Sequence, residues 1–323
     1  MRNANCFIGC CIMLLSCFLF IACEKEINLK VPVPKNALVV EGHIENGRSP
    51  YVLLTKNSPF FGDINVNDIG SYFVSGATIT VKTDNDSVRL MEYNTTFIKT
   101  LPDSMVIALA AQFGIKIDSV AQFPSISIYT VAPADSNFVG VVGKKYDLRI
   151  EVDGKTITSS TTIPTPVFFD SLWTLPHPNP ALADSFFQLY GRLQDPPASG
   201  NYYRYFTKAD DGPFLISNTS VFDDAFFNGK KFNIFIPKGH PMGFAPETDF
   251  NTAGYWSYKD TVCTVKLCQI DKPHYDFWRT LEANRQSQGN PFSSIVYVKS
   301  NVVGALGIWG GYGSITGSFR RIP

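Results

Sequence analysis

The chain has little charge and few side chains of the kinds that build metal or catalytic centres. Of its 323 residues 17% are charged, and 28 Lys plus Arg balance 28 Asp plus Glu, so no basic excess is available to hold a nucleic acid. No histidine pair has the i, i+4 spacing of a helical metal site, and no Gly-x-Ser-x-Gly elbow is present. The four histidines are scattered: His43, His177, His240 and His274. We therefore predict no catalytic residues, no metal, no cofactor and no nucleic-acid partner.

Cysteine is also scarce beyond the N-terminus. Four of the seven cysteines precede Ala22: Cys6, Cys10, Cys11 and Cys17. Cys23, Cys263 and Cys268 remain, and the last two lie in an alternating, strand-like segment. Five residue steps of about 3.3 Å place their Cα atoms about 16 Å apart on opposite faces, beyond the roughly 7 Å limit for a disulfide. We predict two small buried residues, since a disulfide would need a turn that the segment does not indicate.

The one long apolar run stands at the start of the chain. No charged residue lies between Arg2 and Glu24, and the small residue Ala22 precedes Cys23. A short basic region, an apolar stretch too short for a bilayer span of about 20 residues, and a small residue before cysteine are typical of a bacterial lipoprotein signal. We predict a signal peptide at 1–22, lipidation of Cys23 and a tether at 23–36. An ordinary secretory signal or an uncleaved helix are the alternatives, and Phe20 stands where leucine is usual.

The next part of the chain has a strand texture. Short segments with alternating polar and apolar residues recur between turns, and Asp153-Gly154 is a strong hairpin signal. This pattern predicts an immunoglobulin-like β-sandwich at 37–164. Apolar residues every four positions predict an amphipathic helical insertion near 97–123.

The rest of the chain, 165–323, is predicted to be a second, aromatic-rich β domain. Aromatic residues are 14% of the chain, and several strand-like segments here carry two or three of them. A helix is predicted near 272–286, with Asp271 as a good N-cap. The fold class is therefore mainly β: a sandwich followed by a β-rich domain with one helix.

The glycine-rich tail carries two aromatic residues of special interest. Trp309 and Tyr312 stand among Gly307, Gly310 and Gly311. Glycines let backbones approach closely. The two rings would form either an exposed platform for a small ligand, peptide or glycan, or part of a bulged strand that packs on the neighbouring helix.

A family resemblance rests on residues spread over the mature chain. They are Cys23, Leu38–Gly42, Tyr146–Leu148, Ile163-Pro164, Asp170–Leu172, Tyr275–Trp278 and the 300–312 segment. Together they resemble a Bacteroidota lipoprotein family known as domain of unknown function 4249, although Ala305 and Trp309 depart from the expected Gly and Phe. The resemblance implies an outer-membrane lipoprotein, often encoded beside a TonB-dependent transporter, and it implies no reaction. Glu24-Lys25-Glu26 resembles a short charged tag that sends such lipoproteins to the cell surface; a periplasm-facing position is the alternative.

Three functions follow as hypotheses. The first is a non-enzymatic, lipid-anchored outer-membrane protein that binds or presents a ligand to a TonB-dependent transporter. The second is a structural or adhesion module of the cell envelope. The third is a hydrolase that uses loop carboxylates, with these candidates: Asp210, Asp211, Asp223, Asp224 and Asp249.

Overall fold

The computed structural model describes residues 37–57, 70–94, 100, 102–104, 107, 126–240, 252–287, 294 and 296–321. The predicted signal and tether at 1–36, most of the helix predicted near 97–123, and Asp249 lie outside these ranges. Over the described ranges the chain is mainly β, which confirms the predicted fold class. Within the same ranges, no helix has the length and apolar character needed to cross a bilayer.

The strands are named in chain order. The first seven are β1 (Leu38–Glu45), β2 (Tyr51–Lys56), β3 (Thr78–Thr83), β4 (Asp86–Asn94), β5 (Ser127–Thr130), β6 (Lys145–Val152) and β7 (Lys155–Thr162). The next eight are β8 (Phe169–Pro176), β9 (Phe186–Gln194), β10 (Tyr202–Ala209), β11 (Val221–Asp223), β12 (Lys231–Phe235), β13 (Trp256–Ser257), β14 (Val262–Ile270) and β15 (Leu306–Arg320). The long helix, α1, spans Lys272–Ser287.

The strands form one large sheet and one small sheet. The large sheet has eleven strands in the order β11-β10-β14-β15-β1-β2-β5-β4-β3-β6-β7. The small sheet has four, in the order β12-β9-β13 with β8 also paired to β9. The parallel pair β1–β15 joins the beginning of the described chain to its end, with His43 opposite Gly310 and Glu45 opposite Tyr312.

The N-terminal strands enclose the first core. Alternate residues of β6 point inward, as expected for a sheet with one solvated face. The Asp153-Gly154 turn joins β6 to β7 with positive φ at both positions, which confirms the predicted hairpin. Further along, Thr161 Oγ1 of β7 accepts a 2.7 Å hydrogen bond from Gly311 N of β15. The curled sheet is thereby held against β15 around a core that includes Trp309.

The C-terminal strands pack in three layers. One face of β10, β14 and β15 packs on the small sheet through a second core, which contains Tyr203, Leu189 and Cys263. The opposite face packs on α1 through a third core, which contains Cys268 and Trp278. The two cysteines are free, buried and on opposite faces of β14, as predicted.

Helix α1 begins where the sequence indicates. Asp271 Oδ1 accepts a 3.0 Å hydrogen bond from His274 N, while Oδ2 accepts a 2.8 Å hydrogen bond from Thr161 Oγ1. The first contact caps the helix and the second ties it to β7. The predicted helix near 272–286 and its N-cap are therefore confirmed.

The predicted boundary near residue 164 falls between β7 and β8. The large sheet takes strands from both sides of this position, and Lys35–Pro323 group as one compact unit by their contacts. Sequence periodicity indicated strands on each side of the boundary, but it carries no signal for the β1–β15 pairing that links them.

Candidate functional site

The face of the large sheet that packs on α1 also carries a row of ionisable side chains. Strand registers place Arg204 beside Cys268, Phe206 beside Lys266, and Tyr51 beside His43. The opposite faces of the same strands build the first and second cores. Because side chains alternate along a strand, these polar groups share one face, which we call the α1 face.

The central part of the α1 face contains side chains that lack polar partners. The side chains of Glu41, His43 and Tyr51 form no hydrogen bond with another described residue, and Glu41 forms no ion pair within that part of the chain. The His43 ring lies 3.9 Å from the Tyr51 ring and 5.2 Å from the Tyr312 ring, centroid to centroid, both edge to face. We call the space beside Glu41, His43 and Tyr51 the Glu41 recess.

Exposure and desolvation together define the shape of this recess. The Glu41 side chain is exposed to solvent, whereas desolvation by the surrounding protein raises the pKa of its carboxyl. These observations would conflict for a group on a convex surface. They agree for a carboxyl on the floor of a recess that water enters.

The two ring neighbours of Glu41 stay uncharged near neutral pH. Burial, with smaller contributions from Lys266, His274 and Arg204, holds the pKa of His43 well below its usual value. Burial and the Glu41 charge raise the pKa of Tyr51 far above 10. At pH 7 the recess therefore offers one carboxyl, one neutral imidazole and one phenol.

The wall beside the recess is an ordered network around Arg204, which is 3% exposed. Its Nη1 donates a 2.5 Å hydrogen bond to Tyr312 Oη, and its Nε donates a 3.2 Å hydrogen bond to Ser220 Oγ. Its guanidinium carbon lies 3.4 Å from the centroid of the Trp278 ring. Ser220 in turn donates two hydrogen bonds to the Glu282 carboxylate, a 2.5 Å bond from Ser220 Oγ and a 3.0 Å bond from Ser220 N. Ser220 thus bridges a buried cation and a buried anion.

Close packing of α1 completes this wall. The buried His274 ring packs 4.6 Å from the Tyr312 ring, and burial lowers the pKa of His274 to about 3. A Cβ atom at Gly310 would overlap the His274 ring, so only glycine fits there.

The structure places Trp309 and Tyr312 in the interior. Trp309 is 0% exposed, and its Nε1 donates a 3.0 Å hydrogen bond to Tyr146 O. Tyr312 is 3% exposed and packs on α1 through His274. Neither ring forms an exposed platform. Tyr312 fits the second of the two interpretations of the glycine-rich tail, because it packs on the helix, whereas Trp309 packs in the first core on the other side of β15.

An aromatic row does reach the surface elsewhere, on the outer face of the small sheet. The cross-strand set Trp173, Tyr190 and Phe235 has neighbouring ring centroids 5.7 Å apart, and Tyr255 lies 6.0 Å from Phe235. All four are partly exposed. Sequence reasoning missed this row because its members come from three strands and a loop.

Three of the predicted acidic candidates that the structure describes, Asp210, Asp223 and Asp224, have structural contacts or lie far apart. Asp210 Oδ1 accepts hydrogen bonds from Thr261 N and Val262 N, at 3.1 and 2.9 Å. Asp224 caps the turn at Gly200, and Asp223 pairs opposite Tyr202 at the other end of β10 from Asp210. Eight residue steps of about 3.3 Å separate these ends, far more than the roughly 5–10 Å between glycosidase carboxyls.

Two further features carry no assigned chemistry. Within the described ranges, no three His, Cys, Asp or Glu side chains meet as metal ligands. A shallow groove of about 650 Å³ lies beside the outer face of β3, β6 and β7. Two of its charged lining residues, Asp147 and Arg149, already form exposed ion pairs, at 3.0 Å with Lys145 and 2.7 Å with Glu151.

The recess had only a partial sequence signal. Glu41 and His43 stand two residues apart and alternate with smaller or apolar residues, a spacing that places both on one face of a strand. Their partners Arg204, Lys266 and Tyr312 reach that face through long-range pairing, which a local pattern does not encode.

The comparisons with known proteins bear on family rather than activity. No curated protein matches the chain. The family model described as Domain of unknown function (DUF4249) matches residues 24–317, which is most of the chain. The described strands from β1 to β14, the helix α1 and the recess all lie within the matched range. The chain therefore belongs to the DUF4249 family.

Proposed function

We propose that the protein is a lipid-anchored outer-membrane protein that binds a ligand in the Glu41 recess and presents it to a TonB-dependent transporter, without catalysing a reaction. The observation that carries this proposal is the set of unpartnered polar groups in a water-accessible recess: Glu41, His43 and Tyr51. His43 and Tyr51 are half-buried, and polar side chains withdrawn from water normally have partners. Groups held without them beside a rigid network are arranged as in a binding site.

The rigid wall favours binding over bond cleavage. Arg204, Ser220, Glu282 and Tyr312 are fixed to one another, and His274 is held neutral by burial. Such a wall positions a ligand, and its one hydroxyl that donates to a carboxylate, Ser220, is 0% exposed and so has no access to a bound substrate. Of the loop acids considered for a hydrolase, Asp210 and Asp224 accept backbone hydrogen bonds in turns, and Asp223 lies at the other end of β10 from Asp210.

The cellular setting comes from the N-terminal sequence and its resemblance. Lipidation at Cys23 would anchor the protein stably, because two or three acyl chains hold a membrane far better than one. We favour exposure at the cell surface, with a periplasm-facing position as the alternative. Bacteroidota origin, lipoprotein processing and the transporter partner all belong to this proposal.

Affinity purification from intact membranes tests the proposal. A tagged full-length protein is cross-linked in cells and purified beside a Cys23→Ala variant. The proposal expects a TonB-dependent transporter to co-purify with the wild type, and expects the variant to leave the membrane fraction. Recovery of no transporter under cross-linking, or unchanged membrane retention of the variant, would contradict it.

The aromatic row on the small sheet favours a second candidate, an adhesion or structural module of the envelope. Partly exposed rings on one flat face suit contact with another macromolecule. Cell-surface binding by a Trp173→Ala/Tyr190→Ala variant tests this candidate. Phe226→Ala is the matched control, because that ring is 95% exposed and lies outside the row. Loss of adhesion in the double variant alone would favour this second function.

A further inference from the structure

We propose that the Glu41 recess binds an organic monocation, whose protonated amine pairs with Glu41 and whose apolar body packs against the Tyr51 and His43 rings. The inference rests on the proposed function and deepens it, because it states the charge class of the ligand. Nothing in the family description assigns a ligand to this position.

The first step is a balance of charges on the α1 face. Lys266 Nζ lies 3.2 Å from Glu45 Oε2, and this pair is largely enclosed, with side-chain exposures of 17% and 8%. Arg204 is joined to Glu282 through Ser220. Each enclosed cation therefore has its own anion nearby, and neither is left to neutralise Glu41.

Glu41 is the ionisable group of the described recess that has no counter-ion in contact. Arg204 and Arg285 act on it only through longer-range attraction, which is weaker than the desolvation that opposes its charge. A water-accessible carboxylate that the surrounding protein partly desolvates is stabilised when an opposite charge comes within about 4 Å. A ligand with one positive charge supplies that partner and makes the recess electrically balanced, whereas an anionic ligand would add a second uncompensated negative charge.

The second step is the shape and chemistry around the carboxyl. Glu41 and His43 are two residues apart on β1, so both side chains leave the same face, and Tyr51 is paired opposite His43. The rings of His43 and Tyr51 meet edge to face at 3.9 Å. The Tyr51 ring can attract a cation through its negative face, while its hydroxyl and the unprotonated nitrogen of His43 can accept hydrogen bonds from an ammonium.

Matched small probes test the charge class. Benzylammonium, benzyl alcohol and benzoate share a ring and differ in the charge of the head group. Ligand-observed NMR titrations measure the affinity of each for the full chain in detergent at pH 7.5. Glu41→Gln keeps the size of the side chain and removes its charge. Glu151→Gln is the control, because that carboxylate is exposed and pairs with Arg149 on a distant face.

The expected result is saturable binding of benzylammonium, weaker binding of the alcohol, and no saturable binding of benzoate. Glu41→Gln should weaken benzylammonium by about 10- to 100-fold, the range expected for loss of one charge-assisted contact. Glu151→Gln should change nothing.

Three outcomes would overturn the inference: equal or tighter binding of benzoate or benzyl alcohol, unchanged affinity in Glu41→Gln, or no saturable binding of any probe. The transporter test above needs no probe. Co-purification of a transporter together with tighter benzoate binding would therefore reject the monocation and leave the proposed function standing. If no transporter co-purifies but benzylammonium binds in a Glu41-dependent way, the proposed function is rejected and the monocation site stands.

Discussion

Replacing Arg204 tests whether the wall of the recess is a coupled network. Arg204→Met keeps an apolar stem but removes the hydrogen bonds to Tyr312 and Ser220 and the contact with Trp278. It also leaves Glu282 buried without its nearby cation, and breaking a buried charge pair from one side costs about 3–5 kcal/mol. We expect the free energy of unfolding to fall by about that amount, since Arg204 is 3% exposed and solvent does not screen the loss.

Urea unfolding at pH 7, followed by tryptophan fluorescence, measures this change, provided that the slope with denaturant is the same for all variants. Arg204→Met/Glu282→Gln should recover at least about 1 kcal/mol of the loss, because no uncompensated charge is then buried. Arg149→Met is the control: its ion pair with Glu151 is exposed and should contribute no more than about 1 kcal/mol. A loss under about 1 kcal/mol for Arg204→Met, or strict additivity in the double variant, would refute the coupled network.

Three further predictions concern helix α1 and the first core. His274 has a pKa of about 3 when folded against 6.5 when free, so the unfolded chain binds the extra proton and stability should fall by about 2 kcal/mol from pH 7 to pH 5. Carboxyls with a raised pKa, such as Glu41 and Glu282, change stability with pH in the opposite sense. Urea unfolding at several pH values is therefore compared between wild type and His274→Gln, which cancels their contribution. An equal dependence of the unfolding free energy on pH in the two proteins would contradict the prediction. Asp271→Ala should cost about 1–2 kcal/mol in urea unfolding through loss of the helix cap, and an unchanged midpoint would count against that role. Trp309→Ala should lower the free energy of unfolding by about 3–5 kcal/mol in calorimetry, because that ring is fully buried, whereas Phe226→Ala should lower it by under about 0.5 kcal/mol. An equally small loss in both variants would contradict the burial of Trp309.

Local structure was predictable where the signal lies within a few residues. Asp153-Gly154 specifies its hairpin because both positions take positive φ, and Asp271 specifies the start of α1 by capping it. The alternation through Cys263 and Cys268 correctly placed the two thiols on opposite faces. In each case the determining contacts are close in sequence.

Long-range pairing was beyond the same reasoning. The register of β1 against β15 joins positions such as His43 and Gly310, and no local pattern selects that partner. The glycines near Trp309 were compatible with either exposure or close packing, and only the neighbours of Gly310 decide between them. The recess depends on this pairing, because it places Tyr312 opposite Glu45 and brings its ring within 5.2 Å of the His43 ring.

The most direct test of the central claim is to locate binding at the recess itself. In protein labelled with carbon-13 in its histidine rings, addition of benzylammonium should shift the His43 signal saturably and leave His177 and His240 unchanged. The shift should disappear in Glu41→Gln. Uniform shifts at all histidines, or a saturable His43 shift that survives Glu41→Gln, would contradict a ligand site built on Glu41.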